Sequence, residues 1–196
     1  MDEKRATQAL YAALCHLVGA PPEAQWDEFA AGFRLRSLDK GAYFHHAGQP
    51  AERFAFVVDG LLRLYYLRFD GREFNKSFVY APDFVGVLES LVTGEPSRMT
   101  IQCLEATTVL EADYAHARLF YERHAYWQGF GRVFAERLYV KKARREAALL
   151  MDSPATRYRA FSREHPSLSQ RVADYHIASY LGITPETLSR LRKAKV

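Results

Sequence analysis

Between Thr184 and Lys193 the chain sets a carboxylate (Glu186), three hydroxyls (Thr184, Thr187 and Ser189) and three cations (Arg190, Arg192 and Lys193) around two leucines, Leu188 and Leu191. On a helix the leucines fall on one side, and the polar residues are left facing outward. A carboxylate can accept from cytosine, a guanidinium can donate two bonds to guanine, and further cations can hold phosphates. This is chemistry suited to the edge and backbone of duplex DNA.

Such side chains read bases only if a second helix props theirs in place. Upstream, Ala178 and Leu181 have the spacing of a buried helix face, Gly182 permits a sharp turn, and Ile183 is placed to fill the angle between two helices. Thr184 then suits the N-cap of the second helix, with Pro185 at its first position. The layout from Gln170 to Lys193 is a helix-turn-helix. An ordinary helical hairpin with a solvated basic face would share the same spacing.

The composition is compatible with this chemistry. The 196 residues carry a net charge of +4 and 48% hydrophobic content, enough for one large domain or a medium and a small one with packed cores. From Arg171 onward Arg171, Arg190, Arg192, Lys193 and Lys195 face only Asp174 and Glu186. Cys15 and Cys103 are too few for a four-thiolate metal or iron–sulfur site, and a reducing cytoplasm is the simpler setting. The run Ala9 to Ala20 begins after Asp2 and Glu3, contains His16, and repeats Leu10, Leu14 and Leu17 at helical spacing, so an amphipathic helix is expected rather than a signal sequence. No segment has the roughly 18 uninterrupted apolar residues of a membrane span.

Three textures follow one another. Residues 1 to about 36 show helical periodicity interrupted at Pro21 and Pro22. After Lys40 come short runs of strand character: Phe54 to Val58, Leu61 to Arg68, Phe74 to Tyr80, Met99 to Leu104 and Thr107 to Glu111. They are separated by turns such as Asp59-Gly60 and Asp70-Gly71, and predict a jelly roll. From His116 to Met151 helical periodicity returns, with an expected break near Gly129 and Gly131. Phe130, Phe134 and Leu138 recur every four residues, while Arg137, Lys141, Lys142, Arg144 and Arg145 fill much of the remainder. A helix of this length invites a second copy of itself or packs on its own β domain. Asp152-Ser153-Pro154 predicts a hinge.

The order of these parts, with Lys40-Gly41 through Gly48, Phe56-Val57-Val58-Asp59-Gly60, Asp70-Gly71-Arg72-Glu73, Asp83-Phe84-Val85-Gly86 and Glu186-Thr187-Leu188-Ser189-Arg190, resembles the Crp/Fnr family of bacterial transcription regulators. The resemblance covers nearly the whole chain. It implies an α+β fold: a β-roll of the cyclic-nucleotide-binding type with N-terminal helices over 1–115, a long dimerisation helix over 116–151, and a helix-turn-helix DNA-binding domain over 152–196. It further implies that Glu186, Ser189 and Arg190 read bases, helped by Thr184, Thr187, Arg192 and Lys193. Double-stranded DNA, a second copy of the chain and RNA polymerase are the partners it suggests.

Two departures bear on function. Pro185 stands where some members have an arginine, and the β wing many carry after the second helix is missing, which shifts phosphate anchoring toward Arg192, Lys193 and Lys195. The resemblance places an effector pocket at Gly86, Val87 and Leu88 and at Arg98, Met99 and Thr100. Val87 occupies the position of the glutamate that binds a ribose hydroxyl, and its side chain accepts no hydrogen bond. Arg98 could hold an anion or form a surface salt bridge. Cyclic AMP is therefore disfavoured, a different effector or none stays open, and no cofactor is specified. Adjacent His45 and His46 point to opposite faces of a strand, against a cupin-like metal enzyme. A ligand-binding or dimerisation module without specific DNA recognition is the alternative.

Overall fold

The computed structural model describes residues 2–194. Lys195, expected to anchor phosphate, lies outside the described residues.

The chain opens with α1 (Glu3–Val18) and α2 (Glu23–Ala30). Asp2 caps α1 by accepting from the Arg5 N–H at 2.8 Å. Eight strands follow: β1 (Arg34–Leu38), β2 (Tyr43–His45), β3 (Arg53–Asp59), β4 (Leu61–Leu67), β5 (Glu73–Tyr80), β6 (Asp83–Val85), β7 (Met99–Cys103) and β8 (Thr107–Asp113). The short helix α3 (Leu88–Thr93) interrupts them between β6 and β7. They form two four-stranded sheets, ordered β1-β8-β3-β6 and β2-β7-β4-β5, which is the expected double-sheet roll. The expectation of helix up to about residue 36 is corrected at its end. Leu35 and Ser37 pair with Leu110 and Thr108 of β8, so sheet pairing overrides helical periodicity there.

By packing, the chain divides into two units: Met1–Leu64 with Phe78–Glu136, and Tyr65–Ser77 with Arg137–Val196. In the first unit, one face of the β1-β8-β3-β6 sheet meets helices. Phe56, Phe84, Leu110 and Ala112 share a core with Leu10 and Leu14 of α1, Phe29 of α2, and Phe120 of α4 (Tyr114–Arg123). Trp127, fully buried, stacks on Phe29 with ring centroids 3.6 Å apart. Ala55 and Val57 alternate with Phe56 and are buried on the opposite face of the same sheet. Gly60 has φ +102°, and an added Cβ would lie 2.7 Å from the Thr107 Cα and 2.8 Å from the Ala106 carbonyl oxygen. The Asp59-Gly60 turn therefore has room for no larger residue.

The long helix differs from its expectation in one respect. It breaks at His124, between α4 and α5 (Ala125–Met151), and α5 runs unbroken through Gly129 and Gly131. His124 has extended backbone geometry, whereas nothing lies within 4 Å of a Cβ placed at Gly129. The glycines weaken helix propensity, but the burial of Trp127 and Phe130 holds the first turns in place.

The second unit holds the end of the β4-β5 hairpin, the C-terminal part of α5, and four helices: α6 (Pro154–Glu164), α7 (Leu168–Arg171), α8 (Asp174–Leu181) and α9 (Pro185–Lys193). Ser153 caps α6 by accepting from the Thr156 N–H at 3.1 Å, with Pro154 at the first helical position. Tyr65, Phe161, Leu168, Val172, Ile177, Ala178, Leu181 and Leu188 form its buried apolar set.

Candidate nucleic-acid interface

The helix-turn-helix lies where the sequence predicts it. Gly182 ends α8 in the left-handed conformation at φ +66°, and the Ile183 N–H returns to the Ala178 carbonyl at 3.0 Å. Thr184 then caps α9, accepting from the Thr187 N–H at 3.2 Å, and Pro185 begins the helix. Leu188 is fully buried against α8, and Ile183 and Leu191 are half-buried. Glu186, Ser189, Arg190 and Lys193 consequently stand exposed along the opposite side of α9.

Two internal contacts organise this face. Arg190 reaches Thr187 Oγ1 at 3.3 Å, a long contact that leaves most of its donors available. The Glu186 carboxyl is held below the usual carboxylate range, first by the Thr184 hydroxyl and then by its own backbone amide, with Arg190 adding a charge contribution. An ionised acceptor thus stands one turn before a guanidinium.

Arg192 does not belong to that outward set. It is half-buried and pairs with Asp174 of α8 at 2.7 Å, tying the two helices together. Its side chain faces the angle between α8 and α9, where Asp174 is its ion-pair partner.

Of the residues expected around an effector, Gly86, Val87 and Leu88 lie together at the entry to α3, and Met99 and Thr100 begin β7 just after Arg98. Val87 is 2% exposed and acts as N-cap of α3 without a side-chain hydrogen bond. Thr100 Oγ1 accepts from the Ala47 N–H at 3.2 Å, so its hydroxyl is engaged within the roll. Arg98 is exposed and forms no salt bridge among the described residues. A cavity of about 170 Å³ is lined by Val87 together with Phe44, His45, Glu52 and Arg53. Ligand pockets usually exceed roughly 300 Å³. In this arrangement Val87 offers no side-chain acceptor, and Arg98 faces solvent. His45 contributes a buried Nε2 with no hydrogen-bond partner among the described residues, and burial, then His46, lowers its pKa.

Sequence reasoning missed Arg145. It counted among the cations that fill the remainder of the long helix, yet its guanidinium donates to the backbone carbonyls of Asn75 at 3.1 Å and Tyr180 at 2.6 Å. Helical spacing alone carries no signal of those partners, because they come from a strand and another helix.

Comparison with known proteins agrees with this architecture. Residues 35–124 match the cyclic nucleotide-binding domain family. Among solved structures, FixK2 from Bradyrhizobium japonicum is similar at a TM-score of 0.71 and 21% identity, covering 83% of each chain. The c-di-GMP responsive global regulator CLP of Xanthomonas campestris reaches 0.66 at 16% identity, covering 88% of this chain and 91% of that one. Catabolite Activator Protein of Thermus thermophilus reaches 0.56 at 21% identity, covering 92% and 85%. No curated protein matches the sequence significantly. A cyclic nucleotide-binding domain over residues 35–124, a long helix and a terminal helix-turn-helix thus give this chain the fold of these solved structures.

Proposed function

We propose that the chain is a homodimeric, sequence-specific DNA-binding transcription regulator of the Crp/Fnr type and not an enzyme. The carrying observation is the exposed row of Glu186, Ser189, Arg190 and Lys193 on a helix seated by the fully buried Leu188. Glu186, Ser189 and Arg190 read base edges, Lys193 holds phosphate, and Thr184 and Thr187 set the start of the helix.

The dimer reading rests on α5. Ten consecutive residues, 135 to 144, are exposed on every side of the helix, and they include Leu138, Tyr139 at 71% exposure and Val140. A bare helix carrying apolar residues is stabilised by a second copy laid along it. Two reading heads would then address half-sites about 34 Å apart in a palindrome. In this reading residues 1–115 sense, 116–151 dimerise and 152–196 read DNA. The setting is the cytoplasm, with RNA polymerase as the further partner. No helix among the described residues is long and apolar enough to cross a membrane. A small-molecule effector other than cyclic AMP, or none, acts on the roll.

Selection of duplexes from a random pool by purified protein at moderate salt, with and without cyclic AMP, tests the reading. Enrichment of a two-fold symmetric site, independent of cyclic AMP, is expected. Weak, salt-sensitive binding without sequence preference would replace it with the ligand-binding or dimerisation module.

A further inference from the structure

Away from the reading face, α8 is tied down by a polar cluster that base recognition does not use. β5 is the outer strand of its sheet, which leaves its outer edge open to side chains. Side chains from two helices bind there. Ser179 Oγ accepts from the Asn75 N–H at 3.0 Å and donates to the Glu73 carbonyl at 2.9 Å. The Asn75 carbonyl accepts from Arg145, and the buried Asn75 amide donates to the His176 carbonyl at 3.0 Å.

Arg145 closes the arrangement. Its Nη2 donates both to the Asn75 carbonyl and to that of Tyr180 in the last turn of α8, where a cation is favoured, and its guanidinium carbon lies 3.9 Å from the Tyr180 ring centroid. Only Leu181 and the three-residue turn at Gly182 separate this anchored turn from Pro185 of α9.

We infer that Ser179, Arg145 and Asn75 are positioning residues for DNA recognition: they fasten the last turn of α8 to the β4-β5 hairpin and to α5, and so set the direction of α9. The inference rests on the DNA-reading function proposed above. A palindrome demands that both heads present α9 in one orientation at one spacing, whereas non-specific attraction to phosphates tolerates a loosely held head. Losing the latch therefore costs specific affinity selectively.

Ser179→Ala removes both hydroxyl bonds at a half-buried site and leaves every group of α9 intact. Specific affinity for the selected duplex should fall about tenfold, the cost of two ordinary hydrogen bonds. Affinity for a scrambled duplex should stay within about twofold, because the phosphate-binding cations are unchanged. Ser179→Thr, which keeps the hydroxyl, should restore discrimination, and circular dichroism should report unchanged helix content in both variants. Arg145→Lys, which retains charge but loses the planar guanidinium over the Tyr180 ring, provides the same test if Ser179→Ala fails to fold. Parallel losses on both duplexes, or no loss on either, would overturn the inference while leaving the function in place. Wild-type protein that prefers no duplex would overturn both.

Discussion

Replacing Arg190 by alanine tests the reading face where structure and function separate most cleanly. The side chain is exposed, and among the described residues its one hydrogen bond is the 3.3 Å contact to Thr187 Oγ1. Truncation should therefore change folding stability by no more than about 0.5 kcal/mol. A guanidinium bonded to both acceptors of one guanine contributes about 1 to 3 kcal/mol of discrimination. That corresponds to a loss of roughly 5- to 150-fold per head, compounded when a dimer engages two half-sites. Fluorescence anisotropy on the selected palindrome, and on versions substituted at each position, would locate the effect at one base pair per half-site. The salt dependence should keep its slope, since a base contact neutralises no phosphate. An equal loss on all sequences, with the slope reduced by about 0.9 per head, would make Arg190 a phosphate anchor and refute its assignment as a reader.

Thr184→Ala removes the cap of α9 and should destabilise the head by about 0.5 to 2 kcal/mol in a thermal melt, with Thr184→Ser close to wild type. The same variant should raise the Glu186 pKa toward the ordinary carboxylate value, read by carboxyl NMR titration, because the Thr184 hydroxyl is its largest depressing influence. The folded-state pKa lies below the unfolded one, so the Glu186 contribution is present above the ordinary carboxylate range and lost as pH falls through the depressed value. Leu138→Glu should weaken the dimer in sedimentation equilibrium: Leu138 is 37% exposed, so covering it contributes about 0.6 to 1.1 kcal/mol per copy, and dissociation should strengthen by at least roughly 5- to 50-fold. Gly60→Ala should lower the melting temperature through at least about 1 to 3 kcal/mol of strain, because its Cβ would meet the Thr107 backbone at φ +102°.

The sequence makes periodic features legible and conceals those that depend on distant partners. The turn at Gly182, the Thr184 cap and buried Leu188 follow from local chemistry, as do the longer strands between their Asp-Gly turns. β1 escapes notice because five residues carry little period and gain their partner in β8, about 70 positions away. Gly129 and Gly131 suggest a break that packing of Trp127 and Phe130 prevents, while His124, without a helix-breaking signature, ends α4. Arg192 appears outward on a helical wheel, yet Asp174 draws it into the angle between two helices. At the β-roll, Val87 is informative in both views, because an apolar residue at that position removes an acceptor whatever surrounds it.

The reading head has a modular sequence but not a modular chain. Its unit takes residues 65–77 from the middle of the β-roll strands as well as everything from Arg137 onward, so the backbone passes between the two units three times. A single cut in the interdomain sequence cannot release the head with its full set of contacts. A fragment beginning at Arg137 would carry Ser179 and Arg145 without Glu73 and Asn75. Grafting this head onto another sensor would require transplanting the hairpin end too. For the same reason, substitutions that improve the head and substitutions in that hairpin should be acquired as pairs rather than singly.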